Sequence, residues 1–341
     1  MSGVTGMVIR WFIKLLQRLK QMIRILGFSL ASLRPVLVAA LLAGASLPAG
    51  AQESISEEMA NRARLLQTLP ADAAKRHFGS VTTSAPGATR TIGSYAKGCM
   101  AGATALATNG PTWQVMRISR NRNWGHPTLV KLIERLAKRA PKEANWRGLL
   151  VGDISQPRGG PMLTGHASHQ VGLDADLWLT PMPPRTLNTT ERENMSATNV
   201  VANDWMDVNP DRWTPAHGEI IRLAAEEADV VRIFVNPAIK KALCREAEGD
   251  RGWLSKIRPM WGHNYHFHIR IGCPEGDAAC VDQDAPPPGD GCGKELTDWL
   301  SLQHRAYFGP KAPASDKPKP APKPMPLSAM PEACQQIVLQ R

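Results

Sequence analysis

A chain of 341 residues is long enough for two domains, and a single large domain with unstructured ends fits the length equally well. Its 41 Lys plus Arg against 30 Asp plus Glu give a formal charge of +11, which suits an anionic partner. No RNP motif, zinc-finger spacing or Lys/Arg-rich helix accompanies that charge, so nucleic acid is not expected as the partner.

In chain order, residues 1–34 carry Arg10, Lys14, Arg18, Lys20, Arg24 and Arg34 and no acidic residue, and Pro35 to Leu47 is almost wholly apolar. Ala49-Gly50-Ala51 supplies the small residues a signal peptidase needs. Residues 1–51 therefore read as a signal peptide cleaved after Ala51, an uncleaved anchor being the competing reading. Met22 offers an alternative start before a leader of more ordinary size. Removing the six basic leader residues from the 41 leaves 35 against 30 acids, a charge of +5. No later segment approaches the roughly 20 apolar residues of a membrane span, so stable membrane insertion is not expected after cleavage.

Residues 52–90 are polar to small, with an amphipathic stretch from Ile55 to Leu69, and read as a mobile lead-in. From Pro127, Leu129, Val130, Leu132, Ile133, Leu136 and Ala137 recur at helical spacing, and Pro141 is expected to close that helix. Gly148 to Gly152 predicts a short buried strand, and Ala175 to Leu179 another of alternating character. Thr214-Pro215 opens a helix through Ile220, Ile221, Leu223 and Ala224. Val230 to Val235 is a β-branched run, Asn236-Pro237 starts a helix ending near Ala247, and His266 to Ile271 alternates strictly. Strands and helices mix without a βαβ rhythm, so the class is α+β. A peptidase-sized domain over 91–308 is followed by a tail over 309–341, Pro/Lys-rich from Lys311 to Pro326 and extended by composition, with Cys334 beyond it.

The six cysteines (Cys99, Cys244, Cys273, Cys280, Cys292, Cys334) all follow the leader. An even count in an oxidising compartment favours three disulfides, with about fifteen pairings open. Five of the nine histidines fall in two clusters, Gly165-His166-Ala-Ser-His169-Gln-Val-Gly172-Leu-Asp174-Ala-Asp176 and Trp261-Gly-His263-Asn-Tyr-His266-Phe-His268. The strand period of two puts His266 and His268 on one face, with Phe267, Ile269 and Ile271 toward the core. A glycine-bounded loop can fold His169 back toward Asp176. Two histidines and an aspartate make the three-ligand open set of a catalytic zinc. Ser155 and Ser168 lack a nucleophile-elbow setting, so a serine mechanism is not favoured.

The pattern His169-x6-Asp176 with His266-x-His268 resembles the metallopeptidases that include lysostaphin-type, D-Ala-D-Ala carboxypeptidase and VanX-type enzymes. Longer stretches narrow the resemblance to the penicillin-insensitive murein endopeptidases: Ile92 to Cys99, Trp124-Gly-His126-Pro127, Gly165 to Asp176, Arg232 to Lys240 and Trp261 to Pro274. It runs from about residue 90 to 300. The resemblance implies a hedgehog/DD-peptidase-like fold, a small central antiparallel sheet carrying the zinc site with flanking helices, stapled by disulfides Cys99–Cys334, Cys244–Cys292 and Cys273–Cys280. It implies Zn2+ on His169, Asp176 and His268, with His166 close by as a further ligand or beside the ligands, and His266 as the catalytic partner. His263 borders the site, and Asp174 orients a ligand or forms a structural salt bridge. Asp204 and Asp207 lie where a second metal would bind, an acidic loop being the plainer reading.

The implied activity is periplasmic cleavage of D-alanyl–meso-diaminopimelate cross-links in peptidoglycan by metal-activated water, untouched by β-lactams because no serine is acylated. The alternatives are a D-alanyl-D-alanine carboxypeptidase, which needs a cation such as Arg258 or Arg270 for the substrate's free carboxylate, and a non-catalytic peptidoglycan-binding protein with a structural metal.

Overall fold

The computed structural model describes residues 49–310 and 323–340. The expected leader up to residue 48 and the Pro/Lys tract over 311–322 lie outside the described residues. No helix among the described residues is long and apolar enough to cross a membrane.

Helix α1 spans Ala49–Thr68 and α2 Ala74–Ser80. Strands β1 (Arg90–Ser94) and β2 (Lys97–Ala101) form a hairpin, followed by β3 (Thr104–Ala105), β4 (Asn109–Gly110), β5 (Trp113–Val115) and β6 (Trp124–Gly125). Helix α3 covers Pro127–Glu143. His126 caps it by accepting from the Thr128 amide at 3.2 Å, and Pro127 takes the first turn, where its missing N–H costs nothing. The helix does not stop at Pro141 as expected but runs to Glu143. Pro141 falls in the last turn, where it removes a single ladder bond at the frayed end rather than breaking the interior.

Strands β7 (Leu149–Val151) and β8 (Asp174–Trp178) follow, then α4 (Thr189–Asn194) and α5 (Pro215–Ala225). Next come β9 (Val230–Val235), α6 (Pro237–Glu246), β10 (Ile257–Pro259), β11 (His266–Ile271), α7 (Lys294–Phe308) and α8 (Glu332–Leu339). The Asn236 side chain caps α6 by accepting from the Ala238 amide at 3.0 Å.

The class is α+β. The central sheet is larger than the small antiparallel one expected: seven strands in the order β10-β9-β11-β8-β7-β5-β4, with β10/β9 and β5/β7 parallel. Its centre is antiparallel, β11 lying between β9 and β8. The pleat then divides labour. Ala175, Leu177, Phe267, Ile269 and Ile271 enter the core beneath the inward residues of α3 and α5. Each such fully buried large side chain contributes about 1.5–3 kcal/mol. The opposite face of the same strands carries Asp174, Asp176, His266, His268 and Arg270, and these too are buried. Alternation in β8 and β11 thus separates the core from the site, with no solvent face.

A second, smaller core explains the ends of the domain. Ala74, Phe78, Ala85, Ile92, Cys99 and Ala101 pack with Met330, Cys334, Ile337 and Val338. The stretch expected as a mobile lead-in is therefore helical over α1 and α2 and packed from Ala73 onward. Its partner lies more than 200 residues downstream, which no local pattern signals. The Cys99–Cys334 disulfide closes this unit, and Cys244–Cys292 and Cys273–Cys280 complete the pairing the resemblance implies.

Candidate metal centre and active site

Register builds the floor of the site. His268 lies directly across from Asp176, Arg270 across from Asp174, and His266 across from Trp178. His268 Nδ1 is 3.4 Å from Asp176 Oδ1, and His266 Nε2 is 3.6 Å from the same oxygen. The loop between β7 and β8 adds the rest, bringing His169 Nε2 to 3.4 Å from Asp176 Oδ1 and His166 Nδ1 to 3.7 Å from Asp176 Oδ2. That loop turns through left-handed backbone at Gly165, His166, His169 and Gly172, with φ of 70°, 29°, 65° and 70°. Non-glycine residues adopt this region only where surrounding structure imposes it. At Gly172 a Cβ would lie 2.4 Å from Met100 Sδ, so glycine is required twice over.

His169 is aimed by a bond on the far side of its ring. His169 Nδ1–H donates to the Ile154 carbonyl at 2.7 Å, which turns Nε2 toward Asp176. Ser155 Oγ donates to the His169 carbonyl at 2.6 Å. Asp174 accepts from the His169 amide at 2.9 Å and from Arg270 Nε at 2.7 Å. It also lies 3.0 Å from His268 Nε2, at ion-pair distance although off the hydrogen-bond direction. His166 Nε2 sits 2.9 Å from Asp153, which Arg122 also holds at 2.8 Å.

The electrostatics of the buried cluster follow from this packing. Burial disfavours a charged His169, yet the adjacent Asp176 outweighs it and pushes the imidazole up to about 9. Burial pushes His266 and His268 down to about 4. Burial opposes ionisation of Asp174, but His268 and Arg270 override it and hold the carboxyl well below its usual range. Asp153 is held low in the same way by His166 and Arg122. His169 Nε2 and Asp176 Oδ1, 3.4 Å apart, are buried without a hydrogen-bond partner, as are His266 Nδ1 and His268 Nε2, the ring nitrogens farther from Asp176. Unpaired buried polar atoms cost about 1–3 kcal/mol each, so their concentration here demands a missing counterpart. One ligand atom each from His166, His169 and Asp176 falls within 4.8 Å of the others, a spacing and donor set that fit a metal cation.

Two cavities flank the cluster, one of about 710 Å³ running past Tyr95, His263 and His268, the other of about 350 Å³ past Asp153, Asp176 and Trp178. Arg120, His166, Tyr265 and His266 line both.

A model of the penicillin-insensitive murein endopeptidase family matches residues 91–339, well over half of the chain. The chain belongs to the penicillin-insensitive murein endopeptidase family. Among its curated relatives, the penicillin-insensitive murein endopeptidase of Salmonella heidelberg is 43% identical over 261 residues, covering 76% of this chain and 89% of the relative. That of Haemophilus influenzae is 45% identical over 247 residues, covering 72% and 82%. That of Klebsiella pneumoniae is 42% identical over 238 residues, covering 70% and 83%.

In this member of the penicillin-insensitive murein endopeptidase family, all the residues singled out in the two histidine clusters meet. His263 stands at the rim, its ring 4.7 Å from that of His266, with Nδ1–H donating to the Trp261 carbonyl at 2.7 Å. Asp204, Asp207 and Arg258 lie outside both cavity linings, whereas Arg270 lines the larger cavity. Asp207 pairs with Arg245 at 2.8 Å and Lys241 at 3.0 Å, and Asp204 accepts from the Met206 amide. Arg270 is held by Asp174 and Gln283, and Arg258 by Glu295 and the Pro287 carbonyl, so neither guanidinium is free for a substrate. Sequence reasoning missed Asp153, which follows the predicted strand in Gly152-Asp153, and Tyr265, whose ring covers His266 at 4.7 Å.

Proposed function

We propose that this chain is a zinc-dependent murein endopeptidase that cuts D-alanyl–meso-diaminopimelate cross-links of peptidoglycan in the periplasm. The observation that carries the reading is the gathering of four histidines around the buried Asp176 carboxylate, with cavities on either side that share His166, Tyr265 and His266. Such an arrangement suits a peptide that continues past both ends of the bond cut. The relatives' names, murein endopeptidases all, support the substrate.

His169 through Nε2, Asp176, and His268 through Nδ1 would hold the metal, and His166 is placed to add a further nitrogen. When bound, zinc supplies Lewis-acid polarisation of a peptide carbonyl and acidifies water to a pKa of about 7. His266 then handles the proton. Burial keeps its ring neutral and therefore open to a proton, and Asp176, 3.6 Å from Nε2, favours the protonated ring, so His266 would take up and return the proton at the scissile amide. Asp174 fixes the His169 backbone, and Asp153 fixes His166. The Ser155 hydroxyl is buried and donates to the His169 carbonyl, and metal-activated water in place of a serine nucleophile would leave a β-lactam nothing to acylate in this reading.

The two cations named for the carboxypeptidase alternative, Arg258 and Arg270, are both engaged, so a terminal carboxylate would need another cation, and the products formed decide between the readings. The test incubates zinc-loaded and EDTA-treated protein with cross-linked and uncross-linked muropeptides and follows products by mass spectrometry. Conversion of dimers to monomers only with zinc is expected. Release of terminal alanine alone would favour the carboxypeptidase, and no turnover of either with zinc bound would favour the binding protein.

A further inference from the structure

Two arginines face the site without a role in the chemistry above. Arg117 and Arg120 bracket a single helical turn, Ile118–Arg120, that lies against the smaller cavity. The backbone is left-handed on both sides of that turn, φ 55° at Arg117 and 52° at Asn121. Strain of this kind at non-glycine residues persists where the presented side chains matter. Glu193 braces the turn from outside, accepting from the Ser119 amide at 3.0 Å and hydroxyl at 2.8 Å.

The charge balance around these guanidinium groups is uneven. Arg117 donates to the backbone carbonyls of Arg192 at 3.2 Å and Met195 at 2.9 Å, and no ion pair to it occurs among the described residues. Arg120 has only long contacts, 3.4 Å to Asp153 and 3.9 Å to Glu58. Asp153 has closer partners in Arg122 at 2.8 Å and His166 at 2.9 Å. A guanidinium fixed by carbonyls is oriented but not neutralised. That is the condition for recognising an anion with charge-assisted hydrogen bonds.

We infer that Arg117 and Arg120 form a carboxylate-binding subsite on the amine side of the scissile bond, occupied by the free carboxylate of a cross-linked diaminopimelate. This deepens the murein endopeptidase reading and rests on it. The diaminopimelate carbon whose amine is acylated in the cross-link keeps its own carboxylate, two bonds from the scissile nitrogen. A cation in the same cavity as His266 and Asp176 therefore sets which amide enters the site. The same cation separates a free carboxylate from an amidated one, which offers no charge. Arg120 lines both cavities and Arg117 only the smaller, so the smaller cavity is the amine side and the larger takes the acyl side.

The test uses the zinc-loaded full chain and two cross-linked muropeptide dimers that differ only in that carboxylate, free or amidated. The readout is the ratio of kcat/KM on the free dimer to that on the amidated one. The wild-type ratio is expected to favour the free form by about tenfold or more, and Arg117→Gln and Arg120→Gln each to bring it toward one, chiefly through KM on the free dimer. Because the ratio is internal to each preparation, a partly unfolded variant does not imitate the result. A wild-type ratio near one, or a ratio unchanged in both variants, overturns the subsite while leaving the endopeptidase reading intact. If the wild type cleaves neither dimer, the endopeptidase reading falls and the subsite with it.

Discussion

Strands β8 and β11 and the loop between β7 and β8 hold their shares of the site by different means. On the strands, Asp174, Asp176, His266, His268 and Arg270 are placed by register, each opposite or diagonal to another across an antiparallel pair. In the loop, His166 and His169 occupy left-handed backbone and are placed by bonds to distant segments. The loop is tied by Gln170, whose amide donates to the Ala96 carbonyl at 2.7 Å. Arg158 ties it again by donating to the carbonyls of Ile337 at 2.8 Å and Gln340 at 2.6 Å in the C-terminal segment. The strand half is rigid because the core beneath it is. The loop half is only as rigid as the second core and its disulfide.

The largest effect separating the halves should come from Asp176→Ala. It removes the carboxylate that faces all four surrounding histidines, so metal analysis should find no zinc and muropeptide assays no activity, with the fold retained by circular dichroism. Retained zinc would show that the loop histidines suffice without the strand. Asp174→Asn comes next, because it touches both halves through the His169 amide and Arg270. Zinc affinity, measured by competition with a chelator, should fall by about 10–100-fold. An unchanged affinity would leave Asp174 with a structural role alone.

The disulfide tests the loop half by itself. Cys99 and Cys334 are 235 residues apart in sequence, and replacing both with Ala should lower unfolding free energy by about 2–4 kcal/mol, measured in urea. Zinc affinity should fall by less than in Asp174→Asn. A larger fall would mean that the tail, more than the strands, sets the metal geometry.

The smallest expected effect is on pH dependence without metal. His266 and His268 are pushed from 6.5 down to about 4, so the unfolded chain takes up protons first as pH drops below 6.5, and stability falls until about pH 4. His169, raised to about 9, acts oppositely: it adds stability below 6.5 that is lost as pH rises through about 9. His169 adds no slope below pH 6.5, so the two depressed groups should make the urea midpoint of EDTA-treated protein decline between pH 6.5 and about 4. A flat midpoint there would contradict this account of the buried cluster.

The same contrast governs what the sequence discloses. A period of two placed His266 and His268 on one face and Phe267, Ile269 and Ile271 in the core, and the β-branched run at Val230 to Val235 marked its strand, because these are local patterns. Neighbour order in the sheet was not legible, since β11 inserts between β8 and β9 by long-range pairing. Nor was the packing of Phe78 with Ile337, the extension of α3 past Pro141, or the loop's dependence on Arg158. Arg270 shows the limit most clearly. Its sequence position suits a substrate cation, yet Asp174, directly opposite in the paired register and 96 residues away in sequence, engages it.

The central claim is that His268 holds the metal while His266, two residues away on the same strand face, acts on the substrate. It is tested most directly by measuring bound zinc and muropeptide-dimer cleavage in His266→Ala and His268→Ala side by side. His266→Ala should keep one zinc per chain and lose about 10²–10⁴-fold in kcat, whereas His268→Ala should lose both zinc and activity. Loss of zinc from His266→Ala, or full activity in it, would contradict the assignment.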